Sequence, residues 1–433
     1  MQLKVKKKEF EMITVAILGV GARGGFTYGR YMNTCKDKFK IVALCDKNPE
    51  KLGKYSDMFN VGKDACYMDE DTFFQEKHSD LLVVASLDND HVRHAIKALE
   101  LGYNILLEKP ISVSEDECDE LLAKAKASKG KILVCHVLRY TAMMRKVKQL
   151  LDSGIIGKLV MLDQTEQIEY WHMAHSYVRG NWRREDETSP ILLAKSCHDL
   201  DLIQYFVGSK CKDVSSSGSL AWFKEENAPE GAAKRCLDCK YKDECCYSAE
   251  KLYVNRWLDS GRPQDWPYNV ITDRYITEDV LFDALKTGPY GRCVYYCDND
   301  VYDHQHVEMN FENGVHAVLK MVAFTWDWGR QIKMYGSLGN ILLDQGKDII
   351  EIKIFGKPSK TLKISELMNL EGDTLGHGGG DKVMIDELYD ALVNGTYGEG
   401  ETSLENSIES HKIAFAADRS AKNGGVLETI RRN

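Results

Sequence analysis

Hydrophobic residues in the first part of the chain come in short continuous runs that alternate with amphipathic stretches. Residues 13–18, 41–45 and 81–85 are apolar almost throughout, which is typical of parallel strands covered on both faces. After the third run, apolar positions recur at helical spacing until Gly102, and a fourth apolar run follows. Strands that alternate with helices predict an α/β fold with a doubly wound parallel sheet over residues 10–138.

Beyond this first domain the pattern changes to segments that alternate between apolar and polar positions. Residues 158–169, 307–312, 315–324 and 331–343 are of this kind, with polar turns between them. Such segments are typical of antiparallel strands. The sequence therefore predicts a second domain over residues 139–433.

Composition and charge exclude several classes of partner. The 433 residues are enough for two domains, and the formal net charge is −9. A negative protein is not attracted to nucleic acid or to an anionic membrane. The opening MQLKVKKKEFEM lacks the apolar core of a signal peptide, and no window of eighteen residues is continuously apolar. We expect a cytoplasmic protein that binds neither nucleic acid nor a membrane.

A glycine-rich turn follows the first predicted strand. Gly19, Gly21 and Gly24 form G-x-G-x-x-G, in which the first glycine permits a tight turn, the second admits a pyrophosphate and the third lets the next helix pack closely. Asp46 ends the second strand, 22 residues after Gly24, where a carboxylate can bind both ribose hydroxyls of an adenosine. This favours NAD, although Lys47 leaves NADP possible. A helix N-cap or a turn is the alternative role for Asp46.

The stretch LGYNILLEKPISVSED, residues 101–116, places Glu108, Lys109 and Pro110 where a buried strand is predicted to end. Ion pairs in such a place are costly to desolvate, so a purely structural role explains them poorly. Ligands of doubly wound sheets bind at the carboxyl ends of the strands. We therefore expect Lys109 to face the reactive end of a bound cofactor.

Four segments together resemble one known family. They are GVGARG, CDKNPEK, LDNDHVRHAIKALELGYNILLEKP and HVLRYTAMMRKVKQLLDSGIIGKL, and they resemble the glucose–fructose oxidoreductase, inositol dehydrogenase and rhizopine-catabolism (Gfo/Idh/MocA) family. The resemblance is tight from Ile13 to about Leu162 and reappears in patches towards the C-terminus. It implies a C-terminal α+β domain with a large open, predominantly antiparallel sheet, and a homodimer or homotetramer.

The resemblance also implies roles for individual residues. Lys109 would help to bind the substrate hydroxyl, and the Lys109–Pro110 peptide bond would be cis. The residues expected to contact the cofactor are Gly19, Gly21, Ala22, Arg23, Gly24, Asp46, Ser86, Asn89, His91, Glu108 and Lys109.

A second candidate for chemistry lies in SPILLAKSCHDLDLIQYFVG, residues 189–208. It is predicted to be one amphipathic helix from Leu192 to Gly208, with Lys195, His198 and Asp201 on one face. A histidine between a lysine and a carboxylate suits a general base, and the resemblance makes His198 the catalytic histidine and Asp201 an aspartate common one turn later.

The chain departs from the family pattern just before this histidine. The family often has an aspartate four residues before it, and Ala194 stands there instead. The usual orienting carboxylate is therefore missing, and Asp201 or another residue must replace it. The alternative is a structural role for His198 in the core or at a helix cap.

The loop before this helix and a later glycine-rich segment offer substrate contacts. Tyr177, Arg179, Trp182 and Arg183 could form a wall that binds a sugar by stacking and by hydrogen bonds to hydroxyls, or could belong to a solvated surface loop. His377, at the start of a predicted helix, could close over the substrate, or its segment could be a capped helix start.

Six of the thirteen cysteines fall between residues 236 and 297. Without a secretory signal, these should be reduced thiols. Their spacing is close to that of a structural zinc site, and the predicted ligands are Cys236, Cys239, Cys245 and Cys293. Cys246 or Cys297 could replace one of them, and unliganded thiols or a redox pair are the alternatives. Residues 224–298 are expected to form a cysteine-rich insertion on the surface of the second domain.

Together these features predict an NAD-dependent oxidoreductase that oxidises a secondary hydroxyl of a sugar, cyclitol or glycoside. The expected partner is that small molecule, with His198 and Lys109 acting on its alcohol. One alternative is redox-neutral glycoside cleavage or epimerisation with tightly bound, recycled NAD. Another is a dinucleotide-binding protein without catalysis.

Overall fold

The computed structural model describes residues 11–367, 377–400 and 402–432. Its contacts divide the chain into two compact units. The described part of the first unit is 11–111, 116–140, 377–400 and 402–404, and that of the second is 112–115, 141–367 and 405–432.

Strands and helices alternate in the first unit, whereas strands dominate the later part of the second. Among the described residues the strands are β1 Ile13–Leu18, β2 Phe39–Cys45, β3 Cys66–Tyr67, β4 Leu81–Val84, β5 Asn104–Leu107, β6 Ile132–Val134, β7 Leu159–Gln167, β8 Cys211–Ser219, β9 His304–Phe311, β10 His316–Val322, β11 Gly329–Gly336, β12 Gly339–Asp344, β13 Ile349–Ile354, β14 Lys360–Lys363 and β15 Glu428–Thr429. The α-helices are α1 Arg30–Thr34, α2 Pro49–Phe59, α3 Glu70–Phe73, α4 His91–Glu100, α5 Glu115–Ala127, α6 Ala142–Asp152, α7 Tyr170–Met173, α8 Ile191–Ala194, α9 Cys197–Val207, α10 Arg256–Asp259, α11 Glu278–Thr287, α12 Ile364–Leu367, α13 Gly380–Asn394 and α14 Leu404–Lys422.

The first unit contains a six-stranded parallel sheet in the order β3-β2-β1-β4-β5-β6. This order is that of a dinucleotide-binding sheet, in which successive strands are added on one side of β1 and then, from β4 on, on the other side. The central strands β1, β4 and β5 are buried almost completely, because helices cover both faces. The predicted doubly wound parallel sheet is confirmed.

A segment from far along the chain completes this unit. Helix α13 buries Met384, Ile385, Leu388 and Tyr389 in the same apolar core as strand residues such as Ile17. The first unit is therefore built from the N-terminal residues together with a helix that follows strands β7 to β14 of the second unit in sequence.

The second unit contains a nine-stranded sheet in the order β14-β13-β12-β11-β7-β10-β9-β8-β15. Only β7 and β10 pair in parallel; every other described pair in this sheet is antiparallel. Alternate residues of β9 and β10 are buried, as expected for a sheet with one covered face. The predominantly antiparallel sheet implied by the resemblance is confirmed.

The prediction of one continuous helix from Leu192 was wrong. Helix α8 ends at Ala194, and Lys195 and Ser196 form a turn, with Ser196 outside helical geometry, before α9 begins at Cys197. Lys195 therefore does not share a helical face with the residues of α9. The predicted end at Gly208 is confirmed, since this glycine has a φ of 63° and caps α9.

Residues 224–298 share a dense aromatic core with residues 168–194. Tyr247, Tyr253, Trp257 and Tyr290 are buried there against Trp171. The insertion thus buries large apolar side chains of its own, as a segment must if it is to order itself. None of the described helices has the length and apolar content needed to cross a membrane.

Candidate functional site

The glycine-rich loop of the first unit follows β1 and leads into a helical segment, Ala22–Gly29. Gly19 has a φ of 91°, and a Cβ atom on it would lie 2.3 Å from the carbonyl oxygen of Ala85. A Cβ atom on Gly24 would lie 2.1 Å from the oxygen of Gly19. Each of these two positions therefore requires glycine for the fold itself.

Gly21 differs from its two neighbours in the motif. Among the described residues, nothing lies within 4 Å of a Cβ atom built on Gly21, so the fold leaves open space there. Gly21 is also the N-cap of the helical segment. At a helix N-terminus, backbone N–H groups and the helix dipole attract anions. Open space beside a helix start fits a pyrophosphate, so the residues present fit a dinucleotide.

Asp46 holds the loop in place. Its carboxylate accepts hydrogen bonds from the backbone N–H of Val20, at 2.9 Å, and from that of Asn48, also at 2.9 Å. The N-cap of α2 is Asn48, so the alternative role of Asp46 as that cap does not apply, although Asp46 does make a turn bond. The carboxylate lies at the end of β2, beside the glycine loop.

The Glu108 side chain connects the end of β5 to the same loop. Its Oε1 atom accepts from Arg23 Nε at 2.6 Å and from the Tyr28 hydroxyl at 2.5 Å, and its Oε2 accepts from the Lys109 N–H at 2.9 Å. Burial alone would raise the pKa of Glu108, but the charges of Arg23 and Lys109 and these hydrogen bonds hold it below its usual value. The Lys109–Pro110 bond is cis, as the resemblance implied.

Arg23 also binds the start of α13. Its Nη2 atom lies 2.6 Å from Asp381 Oδ1, and Asp381 Oδ2 lies 2.9 Å from His377 Nδ1. Burial would raise the pKa of the nearly inaccessible Asp381 carboxyl, but Arg23 and His377 lower it well below its usual value. The side chains of Arg23 and Glu108 are thus bonded to each other, and His377 belongs to the same cluster.

Ser86, Asn89 and His91 surround the turn after β4. His91 is buried, and its ring nitrogens lie 2.6 Å from the oxygen of Pro110 and 3.1 Å from that of Ser86. His91 therefore links the ends of β4 and β5, while Asn89 is exposed. The expected cofactor-contacting residues all lie at or beyond the carboxyl ends of β1, β2, β4 and β5.

In the second unit, His198 and Asp201 lie on α9, both largely buried. Lys195 stands just before the helix, and its ammonium group lies 3.0 Å from Glu166 Oε1 on β7. The structure therefore brings Lys195 to Glu166, a residue that the sequence analysis did not single out.

Glu166 belongs to a buried charge network. Arg330 lies 3.1 Å from Glu166 and 2.7 Å from Asp199, which also accepts from Gln164 at 2.6 Å. Burial, reinforced by the charge of Glu166, raises the pKa of Asp199 to about 6 despite the opposing effect of Arg330. A signal was available in the sequence, because Leu162, Gln164 and Glu166 lie on one face of β7 and are buried, while the residues between them are only partly buried.

The four residues of the proposed sugar-binding wall have different surroundings. Arg179 is inaccessible to solvent and donates to the carbonyl oxygens of Arg292 and Tyr247, both at 2.7 Å. Arg183 pairs with Asp298 at 2.9 Å. Tyr177 is buried in the aromatic core, and Trp182 is half-buried against it. Both arginines are therefore bonded to residues of the insertion. A sugar-binding role for these four residues stays a prediction.

The predicted zinc site is not supported. Cys236, Cys239, Cys245 and Cys293 do line one cavity of about 380 Å³, together with Cys246. The described residues nevertheless include no group of three or more histidine, cysteine or acidic side chains placed to bind a metal.

Comparison with known proteins covers both units. Residues 13–136 match the family described as "Oxidoreductase family, NAD-binding Rossmann fold", and residues 148–429 match "Oxidoreductase family, C-terminal alpha/beta domain". The chain is 22% identical to the putative oxidoreductase YteT of Bacillus subtilis over 366 residues, which cover 81% of this chain and 82% of that protein. It is 27% identical to the 2,7-anhydro-N-acetylneuraminate hydratase of Mediterraneibacter gnavus over 47% of this chain and 51% of that enzyme.

The fold is also found in a solved structure. Levoglucosan dehydrogenase in complex with NADH superposes with a TM-score of 0.70 at 14% identity, covering 98% of this chain and all of that chain. At this identity the likeness concerns the fold.

Proposed function

This chain belongs to the Gfo/Idh/MocA family of oxidoreductases, and from this we propose that it is an NAD-dependent enzyme that oxidises a secondary hydroxyl of a sugar, cyclitol or glycoside. The observation that carries the proposal is the glycine-rich loop. Gly19 and Gly24 are required by the fold, while Gly21 leaves open space at a helix start, which is the arrangement that a dinucleotide needs.

NAD is proposed rather than NADP because of Asp46. Its carboxylate lies at the end of β2 beside the glycine loop, where it would accept hydrogen bonds from a ribose and repel a 2′-phosphate. Bound nicotinamide would supply the hydride acceptor.

Two side chains are proposed to act on the substrate alcohol. His198 accepts the hydroxyl proton as general base, and Lys109 stabilises the negative charge that develops on the alkoxide oxygen. The peptide of Lys109 is held by Glu108 on one side, and His91 holds the oxygen of Pro110 on the other. Such fixed backbone geometry supports a lysine that must meet a reacting oxygen.

A redox-neutral reaction is the second candidate. The similarity to a 2,7-anhydro-N-acetylneuraminate hydratase favours it, because the name of that relative describes no net oxidation. In this case NAD would remain bound and would be recycled within each turnover.

One experiment separates these candidates. Purified protein is examined for copurifying nucleotide by mass spectrometry and then supplied with NAD and a panel of sugars, cyclitols and glycosides while NADH absorbance is followed. Stoichiometric NADH formation supports the dehydrogenase, whereas product without net NADH supports the recycling enzyme. Dinucleotide binding without any product would leave only a binding protein, and failure to bind NAD or NADH would overturn the proposed function.

A further inference from the structure

Three segments that are distant in the sequence meet at Arg23 within the first unit. Arg23 belongs to the glycine-rich loop, Glu108 ends β5, and Asp381 lies in the first turn of α13. The guanidinium lies 2.6 Å from each carboxylate, at Nε for Glu108 and at Nη2 for Asp381. Tyr28 completes the cluster by donating to Glu108 at 2.5 Å.

The charges of this cluster depend on one another. Glu108 is 5% exposed and Asp381 is 1% exposed, so both carboxylates have lost most of their hydration. A buried charge that loses its partner is strongly destabilised. Arg23 is the guanidinium shared by both, and moving its loop away would separate it from two buried carboxylates at once.

The same residues connect the loop to Lys109. Arg23 stands between Ala22 and Gly24, so its backbone is part of the turn that would approach a pyrophosphate. Glu108 accepts a hydrogen bond from the Arg23 side chain at one oxygen and from the Lys109 N–H at the other. The Glu108 carboxylate thus sets the position of both the glycine loop and the Lys109 peptide. Asp381 binds the same guanidinium at a different nitrogen, Nη2.

We propose that Asp381 is a positioning residue of the dinucleotide site. It holds Arg23, and Arg23 holds the glycine-rich loop against Glu108 in the geometry that accepts the phosphates. This inference rests on the proposed function, because it assumes that the loop binds NAD. Asp381 acts on the site through Arg23 and not by contact with the cofactor.

The test compares Asp381→Asn with Asp386→Asn. Both residues lie on α13, but Asp386 is more exposed and pairs with Tyr31 and Lys382. NADH affinity is measured by fluorescence titration, thermal unfolding by calorimetry, and exchange of the amides of residues 19–29 by mass spectrometry. We expect about tenfold weaker NADH binding and faster loop exchange for Asp381→Asn, with less than a twofold change in affinity for Asp386→Asn.

A double-mutant cycle shows whether Asp381 acts through Arg23. If it does, adding Asp381→Asn to Arg23→Met weakens NADH binding no further than Arg23→Met alone. Should Asp381→Asn fail to unfold cooperatively, Arg23→Lys takes its place, because a lysine keeps the charge but cannot engage both carboxylates with a fork of donors. Its NADH affinity should then fall by a similar factor.

The outcomes are distinct. Wild-type affinity in a folded Asp381→Asn variant, or additive effects in the cycle, would overturn this inference and leave the proposed function intact. Failure of the wild-type protein to bind NADH would overturn the proposed function and this inference with it.

Discussion

At the scale of single residues, the proposed chemistry depends on charged side chains that other charged side chains hold in place. Glu108 stands beside Lys109 in the sequence, and its carboxylate binds Arg23, Tyr28 and the Lys109 N–H. Glu108 at the end of the buried strand therefore has a structural role, because it fixes the glycine loop. The chemical role of Lys109 stays a proposal.

Replacing Lys109 with methionine tests that role. Methionine keeps the length of the side chain and removes its charge, so we expect turnover to fall by at least about 100-fold. NADH affinity should stay within about threefold of wild type. The control is Lys124→Met, an exposed position on α5. Steady-state kinetics and NADH titration check both, and a Lys109→Met variant with normal turnover would contradict the assignment.

The buried Asp199 carboxyl gives a prediction about pH. Its pKa is raised to about 6 by burial and by Glu166, so the folded protein holds this proton to a higher pH than the unfolded chain does. From about pH 4 to pH 6 the folded state therefore binds more protons than the unfolded state through this group. Its contribution to the free energy of unfolding is largest below pH 4 and declines as the pH rises through that window.

Asp199→Asn removes this titration. As the pH rises from about 4 to 6, wild type should lose stability relative to Asp199→Asn, measured as the difference between their free energies of unfolding in denaturant at each pH. Asp57→Asn, an exposed position on α2, should leave the pH dependence unchanged. A constant difference between wild type and Asp199→Asn would show that the carboxyl has no raised pKa.

At the scale of elements, the glycine-rich loop combines two different demands. A Cβ atom on Gly19 or Gly24 would collide with backbone, whereas a Cβ atom on Gly21 would meet open space. Gly19 and Gly24 therefore serve packing: Gly19 that of β1 against β4, and Gly24 that of the helical segment against the loop. Gly21 serves no packing requirement of the described chain, which points to a ligand.

Alanine substitutions separate these demands. Gly21→Ala should change the free energy of unfolding by less than about 1 kcal/mol and weaken NADH binding by at least tenfold, because its methyl group would occupy the space for the pyrophosphate. Gly19→Ala should instead lower stability strongly, since it adds both a clash and an unfavourable positive φ. Denaturant unfolding and NADH titration measure the two effects. Equal losses of stability in both variants would contradict this division.

At the scale of the whole molecule, the chain consists of a parallel-sheet unit and a mixed-sheet unit. The insertion of residues 224–298 adds an aromatic core to the second unit. Packed tyrosine and tryptophan side chains bury large apolar areas, and they stabilise this segment. The resemblance also implies a homodimer or homotetramer. Light scattering would show this as a mass two or four times that of the 49.1 kDa chain.

Metal analysis tests the cysteine cavity. We expect much less than one zinc per chain by atomic emission, and an unchanged unfolding temperature after treatment with a chelator. A protein with an established structural zinc site is the control for the chelation procedure. About one zinc per chain, lost together with stability on chelation, would show that the cysteines of the cavity bind metal as the sequence predicted.

Local patterns were enough to predict the class of fold and the glycine loop. Continuous apolar runs, alternating segments and G-x-G-x-x-G depend on neighbouring residues, and their consequences for backbone and burial are local. The break between α8 and α9 escaped this reasoning because residues 189–208 keep a helical pattern across it, while Lys195 leaves the helix and pairs with Glu166.

The sequence by itself determined the two sheet types and the glycine-rich loop, because these follow from short-range patterns of apolar residues and glycines. The family followed from the resemblance of four motif segments. The tertiary structure decided which charges meet. Asp381 lies 358 residues from Arg23, and Arg330 lies 131 residues from Asp199. Such pairs depend on long-range packing that places elements distant along the chain side by side, and no local pattern encodes that.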